Sequence, residues 1–290
     1  MEEQKEDINN EIPIYRGSRG LDFKNMIISF LNKGNLKDKY IQLLTNTNSM
    51  ETYDKVFTAN SADSVNNSEI FELIGDTSVN KFIVWYMYRR FPQLNCVQGV
   101  KVLARLKINY GSKQSFSSIS ESLGFWPYIT ASEEERSKRK KPLLEDTLEA
   151  VIGAVEYLID SKVRLGAGYA IIYDILSKIF DEKEISLRYE DLYDSKTRIK
   201  ELFDLYGERL GILEYVDEKT DSLTTTVLYR VEGGGGKNKL QGGRRMQIGL
   251  GTAALKADSQ QKAATSALAL LKSQGFVKET PQEYLFFCKN

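Results

Sequence analysis

Glu69-Ile70-Phe71-Glu72-Leu73-Ile74-Gly75-Asp76 and Glu145-Asp146-Thr147-Leu148-Glu149-Ala150-Val151-Ile152-Gly153 are the two stretches on which fold and chemistry turn. Each sets carboxylates at helical spacing inside an otherwise apolar run. Glu69, Glu72 and Asp76 lie at i, i+3 and i+7. At roughly 100° per residue all three fall within about 60° of one helix face. Asp146 and Glu149 are three apart and again share a face. Burying several like charges on helices that otherwise read as core is costly unless something positive sits among them. A hard divalent cation, bound by oxygen ligands, is the usual answer. One such segment alone reads equally well as an amphipathic helix with a solvated acidic stripe. Two of them, both ending in an apolar-Gly step, argue for a shared site.

Composition narrows the chemistry. The 290 residues allow one large or two ordinary domains with real cores. The 40 basic and 40 acidic residues cancel, so any nucleic-acid footprint must come from how charge is distributed. Histidine is absent, which excludes histidine bases and nucleophiles and zinc sites that need imidazole. Carboxylates, lysine, hydroxyls or metal-bound water are left to carry any reaction. Two cysteines, Cys96 and Cys288, read as free thiols of a reducing compartment. That points to a cytoplasmic or other intracellular address, with nucleus or virion also open. No run of eighteen apolar residues exists, so no membrane span is expected. The acidic start is neither a secretory signal nor a basic transit peptide.

Along the chain, residues 1–20 read as a flexible lead and 21–44 as helical, broken at Gly34-Asn35. Residues 45–68, rich in Thr, Asn, Ser and Asp, read as an extended loop. A long helix is expected from Glu69 to Phe91, with Val79, Phe82, Ile83, Tyr86 and Met87 on its apolar face and Pro92 ending it. Further helices are expected over about 97–111, 115–123, 143–159 and 169–179. The basic run Arg136, Lys138, Arg139, Lys140 and Lys141 reads as a loop closed by Pro142, either solvated or touching phosphate beside the acidic helix. After residue 193 the pattern changes to helix, three strands and helix, over 196–206, 213–216, 223–231, 246–251 and 259–271.

The first acidic segment, extended through Val79-Asn80 and Tyr88-Arg89-Arg90-Phe91-Pro92, resembles the signature helix of the ribonuclease III family. The second resembles that family's later acidic helix. The C-terminal pattern is similar to a double-stranded-RNA-binding domain. The resemblance implies an all-α nuclease domain over 21–183, a linker at 184–193, a small α-β-β-β-α domain over 194–276 and a tail at 277–290. Three departures stand out. The 45–68 stretch is longer than the family's loop, and Asn46 stands where the family has a histidine. A glycine-rich insert occupies 233–243. The lysine cluster that opens the family's last helix is reduced to Lys256 and Lys262, among Ala253, Ala254 and Ala257.

Carried over by position, the resemblance makes Glu72, Asp76, Asp146 and Glu149 metal ligands, with Asp76 and Glu149 named as catalytic and Glu149 most tied to cleavage. Glu69 matches an acidic position used near RNA or a second metal. The cofactor is then Mg²⁺, with Mn²⁺ as substitute. Two such ions roughly 3.5–4 Å apart suit phosphodiester hydrolysis. The implied substrate is double-stranded RNA. One nuclease domain per chain implies a homodimer, with Phe71, Ile74 and Phe82 as candidate interface or core residues. In the second domain, phosphate contacts fall to Lys256 and Lys262, helped by Arg244 and Arg245 and by Lys237 and Lys239 of the insert. Groove contacts fall to Thr197 and Glu201. The alternative is a catalytically silent RNA-binding or scaffold relative, which the intact acidic set argues against.

Overall fold

The computed structural model describes residues 12–232, 244–285 and 287. The chain divides into two compact units, Met1–Ile185 and Ser186–Asn290.

The N-terminal unit is helical. Its elements are α1 (Leu21–Asn32), α2 (Asp38–Leu44), α3 (Thr47–Val56), α4 (Glu69–Arg90), α5 (Val97–Tyr110), α6 (Lys113–Ser122), α7 (Glu133–Lys138), α8 (Lys140–Lys162) and α9 (Ala167–Asp181). A two-residue ribbon, β1 (Ile14–Tyr15) against β2 (Ala131–Ser132), and an isolated bridge between Thr58 and Thr130 are the exceptions to helix here among the described residues. The ribbon ties part of the expected flexible lead into the unit, as does Arg19, which donates to the carbonyls of Tyr128 and Phe57. Helix α8 is buried on nearly every face, with Leu144, Leu148, Val151, Ile152, Val155 and Ile159 inside. An all-round apolar helix belongs at the centre of a core, and α4, α6 and α9 pack around it.

Two sequence expectations fail here. The stretch 45–68 is not a loop throughout, because Thr47–Val56 is helical. Asn46 caps that helix by accepting from the Ser49 N–H at 3.0 Å, and Tyr53 and Val56 anchor it in the core. A polar composition hides such a helix when a cap and two buried residues suffice. The basic run is not a free loop either. It is divided between α7 and the start of α8, with Pro142 inside the first turn of α8, where its missing N–H costs nothing. Arg136 donates to the Ile129 carbonyl at 2.6 Å and lies between Tyr15 and Trp126. Lys138, Arg139 and Lys140 pair with Glu134, Glu135 and Glu121, and Lys141 donates to Gln114. Phe82 is core, packed on Tyr86, Tyr173 and Phe180.

The C-terminal unit is α+β. It comprises α10 (Tyr189–Leu192), α11 (Ser195–Tyr206), β3 (Ile212–Lys219), β4 (Thr224–Glu232), β5 (Arg244–Ala253), α12 (Lys256–Ser273) and α13 (Gln282–Leu285). The strands form an antiparallel sheet in the order β3-β4-β5. Ile199, Leu202 and Phe203 of α11 and Ala263, Ala264, Ala267 and Leu271 of α12 close one core with Leu228 and Ile248 of the sheet. Helix α10 lies in the stretch read as linker, and α13 in the stretch read as tail. Tyr189, Tyr193 and Tyr284 stack together, with Tyr284 buried, and the Tyr206 hydroxyl donates to the Val277 carbonyl at 2.9 Å. Residues 189–193 and 277–285 therefore belong to the folded unit. The glycine-rich insert with Lys237 and Lys239, and Cys288, lie outside the described residues.

Candidate active site

Helices α4 and α8 cross where neither has a side chain. A Cβ on Gly75 would lie 1.8 Å from the Glu149 carbonyl oxygen, and one on Gly153 would lie 2.0 Å from the Phe71 carbonyl oxygen. Only glycine permits backbones to approach this closely. The apolar-Gly step that ends each acidic segment is thus the crossing point itself. Glu72 and Asp76 flank Gly75 on α4, and Glu149 stands one turn before Gly153 on α8. The crossing brings the two acidic faces together. Glu69, Glu72, Asp76 and Glu149 line one hollow of 540 Å³ with Ile70 and Leu73. Glu69, Glu72 and Asp146 line a larger one of 770 Å³, bounded also by Asn60, Ser61, Ser132 and Arg139. Glu69 and Glu72 border both.

The electrostatics of this pocket are unfavourable as it stands. Glu149 is 8% exposed. Burial, then the charges of Asp76, Glu145, Glu72 and Asp146, push its carboxyl up to about 8. Burial, then Asp146, Glu69 and Glu145, push Glu72 up to about 7. Burial and Glu145 push Asp146 up to about 6, against the opposing charges of Lys113 and Arg139. Asp76 is exposed, and its Oδ1 accepts from Asn80 Nδ2 at 2.7 Å. Among the described residues no basic side chain hydrogen-bonds to Glu72, Asp146 or Glu149. Nor does any group of three acidic side chains close on one point as a ready-made metal cage. The donor set is nonetheless what a hard divalent cation takes, oxygen ligands of like charge with no basic side chain bonded to them. The residues fit such an ion.

Sequence reasoning missed Lys113. Its ammonium lies 2.5 Å from Glu145 Oε2, across from α6 to α8. Nothing in the spacing announces the pair, because 32 positions separate residues 113 and 145.

The candidate RNA contacts of the C-terminal unit are not brought into one open cluster. Lys256 lies 2.8 Å from Asp217, which also accepts from Thr226 and Gln260. Burial works to raise the Asp217 carboxyl, but the bonds from Lys256, Thr226 and Gln260 together outweigh it and hold it below the usual range. Lys262 donates to the Thr252 carbonyl at 3.0 Å. Arg245 pairs with Glu214, while Arg244 is exposed at the start of β5. The Thr197 hydroxyl donates to Asp194 at 2.8 Å. Glu201 accepts from Lys278 at 2.8 Å and from Tyr189.

Comparison with known proteins agrees with the position of the crossing. The family model for the ribonuclease III domain matches residues 69–158. A protein of Invertebrate iridescent virus 6, provisionally named ribonuclease 3, is 44% identical over 287 residues, 94% of this chain and 96% of that one. A Frog virus 3 (isolate Goorha) protein with the same provisional name is 39% identical over 246 residues, 84% of this chain and 62% of that one. A solved nuclease domain of ribonuclease III from Campylobacter jejuni covers 55% of this chain and 99% of its own, at 24% identity and a TM-score of 0.41.

Proposed function

This chain belongs to the ribonuclease III family, and from that premise we propose that it is an endoribonuclease that hydrolyses double-stranded RNA with divalent cations, Mg²⁺ or Mn²⁺, as a homodimer. The observation that carries the proposal is the pair of adjoining hollows at the glycine crossing, both bordered by Glu69 and Glu72, one reaching Asp146 and the other Asp76 and Glu149, with no basic side chain bonded to Glu72, Asp146 or Glu149 among the described residues. A merely structural helix pair would neutralise or solvate such charges.

In this proposal Glu72, Asp76, Asp146 and Glu149 hold the cations, and Glu69 stands at the rim toward RNA. When bound, the cations supply Lewis acidity for phosphodiester hydrolysis, favouring ionised water and the departing oxygen. The chain prepares the site for them. Glu149, driven up to about 8, keeps a proton on its carboxyl at neutral pH and gives it up as a cation arrives. Asn80 fixes the Asp76 carboxylate. Ile70 and Leu73 line the same hollow as exposed apolar side chains. The C-terminal α-β-β-β-α unit is assigned to duplex binding, through Lys256, Lys262, Arg244 and Arg245 on phosphates and Thr197 and Glu201 in the groove. Dimerisation is assigned to the exposed apolar side of α4, where Leu73 is 64% and Trp85 51% exposed. The buried Phe82 cannot serve.

The test is cleavage of a long RNA duplex and of its separated strands, with Mg²⁺ and with chelator, beside sedimentation of the same protein. Duplex-specific, Mg²⁺-dependent cutting by a dimer is expected. Duplex binding without cutting in any divalent cation would favour the silent-scaffold alternative.

A further inference from the structure

Lys138 and Arg139 line the larger carboxylate hollow and Lys113 stands outside its lining, and the three are engaged differently. Lys138 pairs with Glu134, outside the acidic set. Arg139 pairs with Glu135, outside the acidic set. Lys113 pairs with Glu145, which neighbours Asp146 and precedes Glu149 by one helical turn. The Glu145 side chain is 14% exposed, so water screens it little, while Lys113 reaches it from a side chain that is 53% exposed. Glu145 acts by its charge on Glu72, Asp146 and Glu149, and Lys113 acts in the opposite sense on Glu72 and Asp146.

We propose that Lys113 and Glu145 form a built-in counter-ion pair that sets how tightly the neighbouring carboxylates bind a divalent cation. The inference rests on the cation-binding assignment of the pocket. The pair keeps a further carboxylate next to Asp146 but cancels its charge. Removing Lys113 leaves one more negative charge facing the cation, and removing Glu145 leaves one more positive charge. At a separation of several ångströms near a protein surface, a unit charge acting on a divalent ion shifts affinity by about three- to tenfold after screening. Removing both restores the original net charge.

The experiment is calorimetric titration of the full chain with MnCl₂, without RNA, for the wild type, Lys113→Gln, Glu145→Gln and the double variant. Lys113→Gln should tighten binding about three- to tenfold, Glu145→Gln should weaken it by a similar factor, and the double variant should return close to wild type. Lys113→Arg, which keeps the charge, should leave affinity unchanged even if its melting temperature moves. Weakening by both single variants, or no change in either, would overturn the inference while leaving the pocket's assignment intact. A wild-type chain that takes up no Mn²⁺ would overturn both.

Discussion

In the N-terminal unit Glu72, Asp146 and Glu149 line two adjoining hollows with no basic side chain bonded to them among the described residues, whereas in the C-terminal unit Lys256, Lys262 and Arg245 each rest on an acceptor of their own domain. The first arrangement is costly without a partner, because like charges are gathered in a partly dry pocket. The second is satisfied as it stands, so a phosphate must displace Asp217, the Thr252 carbonyl or Glu214 before it gains a contact. On the proposed function, the uncompensated carboxylates are the reactive centre and the compensated cations are the duplex-binding side.

The sharpest way to break this contrast is Glu149→Gln. It removes one ligand charge while the fold and the C-terminal unit stay intact. Cleavage should fall about a thousandfold, roughly 4 kcal/mol of lost transition-state stabilisation, with duplex affinity nearly unchanged. Cleavage at the wild-type rate would remove Glu149 from the site.

Next in size is Gly75→Ala. Its methyl group would run into the Glu149 backbone, forcing α4 and α8 apart. Thermal unfolding should show a loss of about 3 kcal/mol, and Mn²⁺ binding should weaken with it. An alanine variant of full stability would mean that the crossing is looser than described.

The pH dependence of stability separates the two units further. Glu149, Glu72 and Asp146 all titrate higher in the folded chain, near 8, 7 and 6, than their ordinary 4.5, 4.5 and 3.8. The folded state then binds more protons, so their contribution is fully present below their ordinary values and is lost as pH rises through the folded ones. With no histidine in the chain, few other groups titrate between pH 5 and 8. In chelator, the melting temperature of the nuclease unit should fall from pH 5 to pH 8, and Glu149→Gln should flatten that fall. A rising profile would contradict the carboxyl assignments.

The smallest effect belongs to the C-terminal unit. Lys256→Ala with Lys262→Ala should lower the slope of log affinity against log salt by roughly one unit per contact, for duplexes of any sequence. Unchanged affinity and slope would mean that the unit meets proteins instead of RNA.

What the sequence made legible follows the strength of local signals. Helix α4 carries an apolar face through Val79, Phe82, Ile83, Tyr86 and Met87 and is followed by Pro92, so its bounds and its acidic face could be read directly. The two Ile-Gly steps were visible, but not their purpose, which exists only when Gly75 and Gly153 meet across the crossing. Helix α3 was hidden because Asn46, a cap, looks like loop composition. The basic run misled because charge counts do not show partners, and Glu121, Glu134 and Glu135 had already claimed Lys140, Lys138 and Arg139. Lys113 and the tyrosine stack of α10 and α13 depend on tertiary proximity alone.

The central claim is that Glu149, with its carboxyl pushed up to about 8, and in part Glu72, pushed up to about 7, hold a proton until a cation enters. Mg²⁺ titration of the full chain at pH 7, in two buffers of different ionisation enthalpy, counts the protons released on binding. Release of at least about one proton per site is expected, because Glu149 and Glu72 must ionise to become ligands, and Glu149→Gln should remove most of it. Binding of Mg²⁺ with no proton release would show that these carboxylates are already charged, and the account of the site would fail.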